Sequence, residues 1–250
     1  MTESPSEPTD DDISYFTDLC TVIARRCAPS TIRRPVEALL NLAHRLYAKV
    51  ERSGREGVRE VKLIGTAVAI ELLLNAPVRI KNLASIEIDR HLLPVGPKHS
   101  RGLHLHFPAA EVKNASNLEY SLLPETVDLV DSYIAKWRPL LLSGLSPFLF
   151  PGKFPGTHKG SGALSEQIKT IVHAYTGLDM TAHRFRHAMG KIFLDRNPGQ
   201  YEVVRQLLGH KDIRTTIAFY AGAETASAAR HYAKTLDGLR SREHPDGVRA

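Results

Sequence analysis

Apolar and polar positions along the chain follow a helical period over most of its length and a two-residue period in one central stretch. Ile13, Phe16, Leu19, Cys20, Val22 and Ile23 recur at helical spacing across residues 11–28, and Pro29 ends that run. A second stripe, Val36, Leu39, Leu40, Ala43, Leu46 and Tyr47, has Ser30 or Thr31 as its cap and Pro35 near its first turn. Ser53–Gly57 (SGREG) reads as a linker. A strongly apolar helix over about 58–75 follows, containing I-G-T-A-V-A-I-E-L-L-L, and Asn75-Ala76-Pro77 ends it.

The period then changes. Ile86 and Ile88 alternate with Glu87 and Asp89. Leu103, Leu105 and Phe107 alternate with His104 and His106, and Leu118, Tyr120 and Leu122 alternate with Glu119 and Ser121. These runs predict three short antiparallel strands. From Pro124 the helical period returns, broken by a Gly- and Pro-rich loop at 150–163, with helices predicted over 164–176, 181–194, 199–208, 213–220 and 224–236. The expected fold class is mainly α with a small three-stranded antiparallel sheet, and the chain contains no internal repeat.

Composition adds a core and a partner to this picture. Of the 250 residues, 42% are hydrophobic and 24% charged, enough apolar surface for a sizeable core. The first twelve residues, MTESPSEPTDDD, hold five acids and no base, so the net charge of +6 conceals a body with 33 bases against 22 acids. Residues 1–10 read as a disordered acidic tail and 238–250 as a flexible one. A body this basic suits a polyanion, nucleic acid first, or serves solubility alone. Cys20 and Cys27 are poorly placed to pair and indicate neither a disulfide framework nor a zinc site. No apolar run reaches membrane-spanning length and the acidic start is not a signal peptide, so the expected location is cytoplasmic, with no membrane partner.

Candidate chemistry concentrates in the last third. T-A-H-R-F-R-H puts His183 and Arg186 three apart on one helix face; Q-L-L-G-H ends at His210; I-R-T-T-I-A-F-Y ends at Tyr220. His183 and His187 have a spacing used by metal sites, but no glutamate follows His183 and no third ligand is evident. His91, His99, His104 and His106 cluster in and around the strands, where solvated or nucleic-acid-facing positions fit better than a metal. The loop G-T-H-K-G-S-G lacks G-K-[ST] in register and reads as a connector. Gly209 reads as the end of the helix before His210.

In order and spacing, H-x-x-R-H, L-L-G-H, T-T and a following tyrosine resemble the tyrosine recombinase, or phage integrase, family. The resemblance covers roughly residues 58–236. It implies a DNA breaking-rejoining catalytic domain at 58–237, preceded by a short helical segment at 11–57 as a partial arm. It also implies an upstream arginine before the sheet, matched by Arg79 in A-P-V-R-I-K-N-L, and a lysine between the second and third strands, matched by Lys113 in E-V-K-N, with Lys98 as its competitor. The implied activity is site-specific DNA cleavage and rejoining through a 3′-phosphotyrosyl bond, with no metal or high-energy cofactor. Arg79 and Arg186 would hold the non-bridging phosphate oxygens. His183 and His210 would donate to the same phosphate, with His183 also able to accept the proton of Tyr220, the nucleophile. Lys113 would protonate the leaving 5′ oxygen.

Two departures stand out. Asn82 occupies the place where many members carry a glutamate, and residues 11–53 supply only about two helices where the family has a core-binding domain, so the arm is reduced or the chain is a domain of something longer. The helix after Tyr220 is rich in small residues (Ala226, Ala228, Ala229), and the resemblance implies that this segment packs on a neighbouring protomer, with homo-oligomerisation on double-stranded DNA as a tetramer. A catalytically inactive DNA-binding relative and a type IB topoisomerase-like enzyme are the competing readings.

Overall fold

The computed structural model describes residues 36–96, 102–220 and 225–243. The predicted helix at 11–28, both cysteines, Lys98, His99 and the tail at 1–10 lie outside the described residues. By its contacts the described chain divides into two compact units, one holding the described residues up to Met189 together with Leu207–Gly209, the other Gly190–Gln206 with the described residues from His210 onward. The larger unit contains α1 (Leu42–Ser53), α2 (Val58–Asn75), α3 (Ile80–Ala84), α4 (Ile88–His91), β1 (Leu92–Val95), β2 (Gly102–Phe107), β3 (Leu118–Ser121), α5 (Pro124–Ser132) and α6 (Ser161–Thr176). Four further α-helices follow: α7 (Ala182–Arg196), α8 (Tyr201–Leu208), α9 (Ile213–Tyr220) and α10 (Thr225–Glu243). The architecture is mainly helical with one three-stranded antiparallel sheet in the order β1-β2-β3.

The centre of the larger unit is α2. Its residues Ile64 to Leu73 are buried without interruption, as expected for a helix apolar on every side, and α1, α5 and α6 pack around it. Gly65 is the close-approach point: a Cβ there would stand 3.2 Å from Tyr133 Oη. Burial raises the Tyr133 phenol above its usual range, so it stays a neutral wedge in the core. One acid interrupts the apolar run. Glu71 is buried in α2, and its Oε1 accepts hydrogen bonds from Thr126 Oγ1 at 2.9 Å and Asn75 Nδ2 at 3.0 Å.

The sheet departs from the sequence reading in one strand. Alternation at Ile86–Asp89 predicts a strand, but Glu87 forms only an isolated bridge with Phe148 before the chain coils into α4. His91 drives that turn, accepting the Glu87 backbone N–H at Nδ1 (2.8 Å) while Nε2 meets Glu111 at 2.8 Å. The first sheet strand is instead Leu92–Val95, paired Leu92 to Leu105 through Val95 to Gly102. Pro94 masks it in the sequence, and it is tolerated because β1 is an edge strand that need not donate outward. The other two strands fall where alternation places them, with Leu103, Leu105 and Phe107 buried on one face of β2.

Thr126→Val, nearly isosteric, should lower the unfolding free energy by about 1–3 kcal/mol by leaving the buried Glu71 carboxylate short of a donor. Urea denaturation at neutral pH checks this, and an unchanged midpoint would mean the hydroxyl contributes nothing to that site.

Candidate active site

Four of the six residues singled out in the sequence lie in the larger unit. Arg79 follows the end of α2 in extended backbone and caps α3, and its Nη1 is buried with no hydrogen-bond partner among the described residues. Burial lowers the pKa of this guanidinium, without approaching the range in which an arginine gives up its proton. Arg186, on α7, is also buried. Its Nη1 donates to the Pro77 carbonyl and its Nη2 to the Leu208 carbonyl at 2.6 Å. Both arginines act electrostatically on Tyr120 of β3, whose phenol burial nevertheless pushes up to about 12. Tyr120 therefore remains a donor, giving its hydroxyl proton to the Leu207 carbonyl at 2.8 Å.

His183 is brought onto the face of Arg186 by the start of α7. Thr181 caps this helix, its Oγ1 accepting from the Arg184 N–H at 3.3 Å, so His183 falls in the first turn, exposed. Its Nε2 lies 2.9 Å from Nε2 of the buried His187, with the rings edge to face. Only one nitrogen of that pair can donate, so the two imidazoles share one proton between them. Arg184, adjacent in sequence, turns away to Asp179 at 3.2 Å.

Lys113 stands at the tip of the β2–β3 connection. Ala115 N donates to Val112 O at 2.8 Å, closing a turn with Lys113 and Asn114 as its central residues, and the Lys113 side chain is exposed. Asn82 bonds into the same loop, its Nδ2 donating to the Glu111 carbonyl at 3.1 Å. That accounts for the departure at this position: a carboxylate has no donor for a backbone carbonyl. Asn82 thus links the helical turn of Arg79 to the loop of Lys113.

His210 and Tyr220 lie in the smaller unit. His210 N donates to Arg205 O at 2.9 Å, and Arg205 Nη1 to His210 O at 2.7 Å, fixing the backbone just past the end of α8 in the manner of a Schellman cap. Its Nδ1 lies 3.0 Å from Oγ1 of the buried Thr216, which sets the ring and leaves Nε2 to face elsewhere. Tyr220, the last residue of α9, is fully buried. Its ring lies against Gly190, where an added Cβ would come within 2.8 Å of Tyr220 Cζ and 3.1 Å of Val204 Cγ1. Only a glycine fits beneath that ring. Sequence reasoning passed over Thr216, Gly190 and Tyr120. The T-T pair and a glycine seven residues after His183, on the same helical face, were the available signals.

The strand histidines make ordinary polar contacts. His104 Nε2 is 3.1 Å from Ser121 Oγ, and His106 Nε2 is 3.7 Å from Glu119. His158, in the connector loop, shares an edge-to-face contact with Phe148.

The family described as the phage integrase family matches residues 43–226. Tyrosine recombinase XerD from Lacticaseibacillus casei is 26% identical over 175 residues, covering 68% of this chain and 53% of that protein. Among solved structures, the XerH site-specific recombinase bound to its difH substrate in a pre-cleavage complex superposes with a TM-score of 0.51 at 12% identity, over 87% of this chain and 51% of that one. XerH in a post-cleavage complex with palindromic difH gives 0.54 at 13% identity, over 80% and 51%. The XerA recombinase gives 0.51 at 16% identity, over 93% and 85%. The chain spans about half the length of XerD and of XerH. With the family matched over most of its length, this chain belongs to the phage integrase family, the tyrosine recombinases.

Proposed function

We propose that the chain cleaves and rejoins double-stranded DNA at a specific site, with Tyr220 as nucleophile and a 3′-phosphotyrosyl intermediate. The observation that carries this reading is the arginine pair beside Tyr120, in which Arg79 Nη1 is buried with no protein partner among the described residues. A buried cationic donor of this kind is costly to leave unsatisfied and suits a phosphate oxygen. XerH, a site-specific recombinase that shares the fold, is bound to difH substrate in a pre-cleavage complex and to palindromic difH substrate in a post-cleavage complex.

In this reading Arg79 and Arg186 hold the non-bridging oxygens and stabilise the charge of the pentavalent transition state. His183 accepts the proton of Tyr220 as its Oη bonds to phosphorus, and His210 donates to the same phosphate. The bond from phosphorus to the 5′ oxygen breaks, and Lys113 supplies the proton that oxygen takes up. Rejoining runs the same steps in reverse with a 5′ hydroxyl from another strand, so the phosphodiester energy is conserved in the tyrosyl ester. The residues need no metal or high-energy cofactor for this balance. Tyr220 must leave its seat against Gly190 to reach a phosphate, so attack follows a movement of α9. Assembly as a tetramer on DNA, in a nucleoid-associated setting, completes the proposal.

Nicked suicide duplexes tiled from the DNA flanking the gene test it. Wild type should form an SDS-resistant, protease-sensitive adduct and Tyr220→Phe none. A band shift without an adduct would identify a DNA-binding protein that does not cut, and relaxation of supercoiled plasmid without site preference would favour a topoisomerase.

The two arginines should separate in behaviour. Arg79→Lys should slow adduct formation about 100- to 1,000-fold and change the unfolding free energy by less than about 1 kcal/mol. Arg186→Lys should lose activity and also about 1.5–3 kcal/mol of stability, because two buried carbonyls lose their guanidinium donors. Paired urea unfolding and adduct kinetics check both, and equal stability losses would contradict the division.

A further inference from the structure

The turn that carries Lys113 is tied down on three sides by asparagines. Upstream, Asn82 Nδ2 holds the Glu111 carbonyl at 3.1 Å. Across the loop, Asn117 Oδ1 accepts the Ala109 N–H at 2.8 Å. The third tie is Asn114, whose Nδ2 donates to the Gly209 carbonyl, 95 residues further along the chain. Asn114 is half-buried beside the exposed Lys113, and the next residue, Ala115, has φ +50°, a left-handed conformation a non-glycine residue adopts only when its surroundings hold it there.

The far end of the Asn114 tie is equally constrained. Gly209 has φ +58°, and a Cβ on it would stand 2.7 Å from Leu118 Cδ2 of β3. The two carbonyls before it are held by Tyr120 and Arg186. Asn114 therefore anchors the Lys113 turn to a corner that an arginine of the proposed phosphate clamp already holds.

We infer that Asn114 is a positioning residue for Lys113, setting the ammonium group relative to the Arg186 side of the clamp through the Gly209 carbonyl. The inference rests on the reading of Lys113 as proton donor to the leaving oxygen. Asn114 itself touches no reacting atom. Its loss leaves Lys113 charged and exposed but on a turn free to shift, and displacements of about 1 Å at a reacting group cost about 100-fold in rate.

The test replaces the bridging 5′ oxygen by sulfur in the duplex that traps wild type. Sulfur leaves as a thiolate, since such thiols ionise at about 8.5, and requires no proton donor. With the oxygen substrate, Asn114→Ala and Asn114→Asp should form adduct about 100-fold more slowly than wild type, and Lys113→Ala more slowly still. With the sulfur substrate all three should come within a few-fold of wild type. A wild-type rate for both Asn114 variants on oxygen would overturn the inference. So would a deficit that persists on sulfur while Lys113→Ala recovers, because the asparagine would then be supporting the fold. Failure of Lys113→Ala to recover on sulfur would remove Lys113 as proton donor, and the inference with it. Both variants should show lowered urea midpoints, because the Gly209 carbonyl loses its donor, and recovery of both on the sulfur substrate shows that the folded protein is what the rate comparison reads.

Discussion

Three consecutive backbone carbonyls at the end of α8 have to be satisfied, and much of the candidate site is arranged around them. A helix C-terminus leaves its last carbonyls without intrahelical donors, and Leu208 and Gly209 are buried where water does not replace them. The donors come from three separate parts of the larger unit. Tyr120 of β3 serves Leu207, Arg186 of α7 serves Leu208, and Asn114 of the β2–β3 loop serves Gly209. A sheet strand, a helix and a loop far apart in sequence are thus bound to one corner. Gly209 can occupy that corner because it adopts positive φ and presents no Cβ to Leu118.

This arrangement divides the work of the two arginines. Arg186 spends two of its donors on the Pro77 and Leu208 carbonyls, so it is a fastener whose remaining fork is held rigidly. Arg79 keeps a buried nitrogen unbonded among the described residues. A guanidinium suits both duties because its charge survives burial and its planar fork can bind in two directions. A lysine in either place would bring one point charge and no fork. Tyr120 lies within the field of both, and its burial keeps the phenol protonated and donating.

Much of this was legible in sequence. The strongly apolar stretch at about 58–75 marked the central helix because a helix packed on every side has no continuous polar face to reveal. Alternation placed β2 and β3, where one face is buried and the other polar. The reading failed at Ile86–Asp89, where period-two patterning belongs to a single bridge and a helical turn held by His91. The true edge strand was hidden by Pro94. Gly190 and Tyr120 were passed over because each acts through a neighbour distant in sequence, as a seat without a Cβ and a carbonyl donor; Thr216 lies only six residues from His210, and its part as a ring orienter depends on the turn between α8 and α9.

The sequence by itself determined the chemical types and their local spacing: His183 and Arg186 on one helical face, a glycine to end α8 before His210, and a tyrosine closing the next helix. These are short-range properties, set by helical periodicity and by what a residue's own backbone allows. The tertiary structure alone decided which arginine is a fastener and which keeps a buried donor, which asparagine reaches which carbonyl, and that Tyr220 rests fully buried on Gly190. Those outcomes follow from buried polar groups finding partners across long stretches of chain, and sequence spacing carries no record of such pairings.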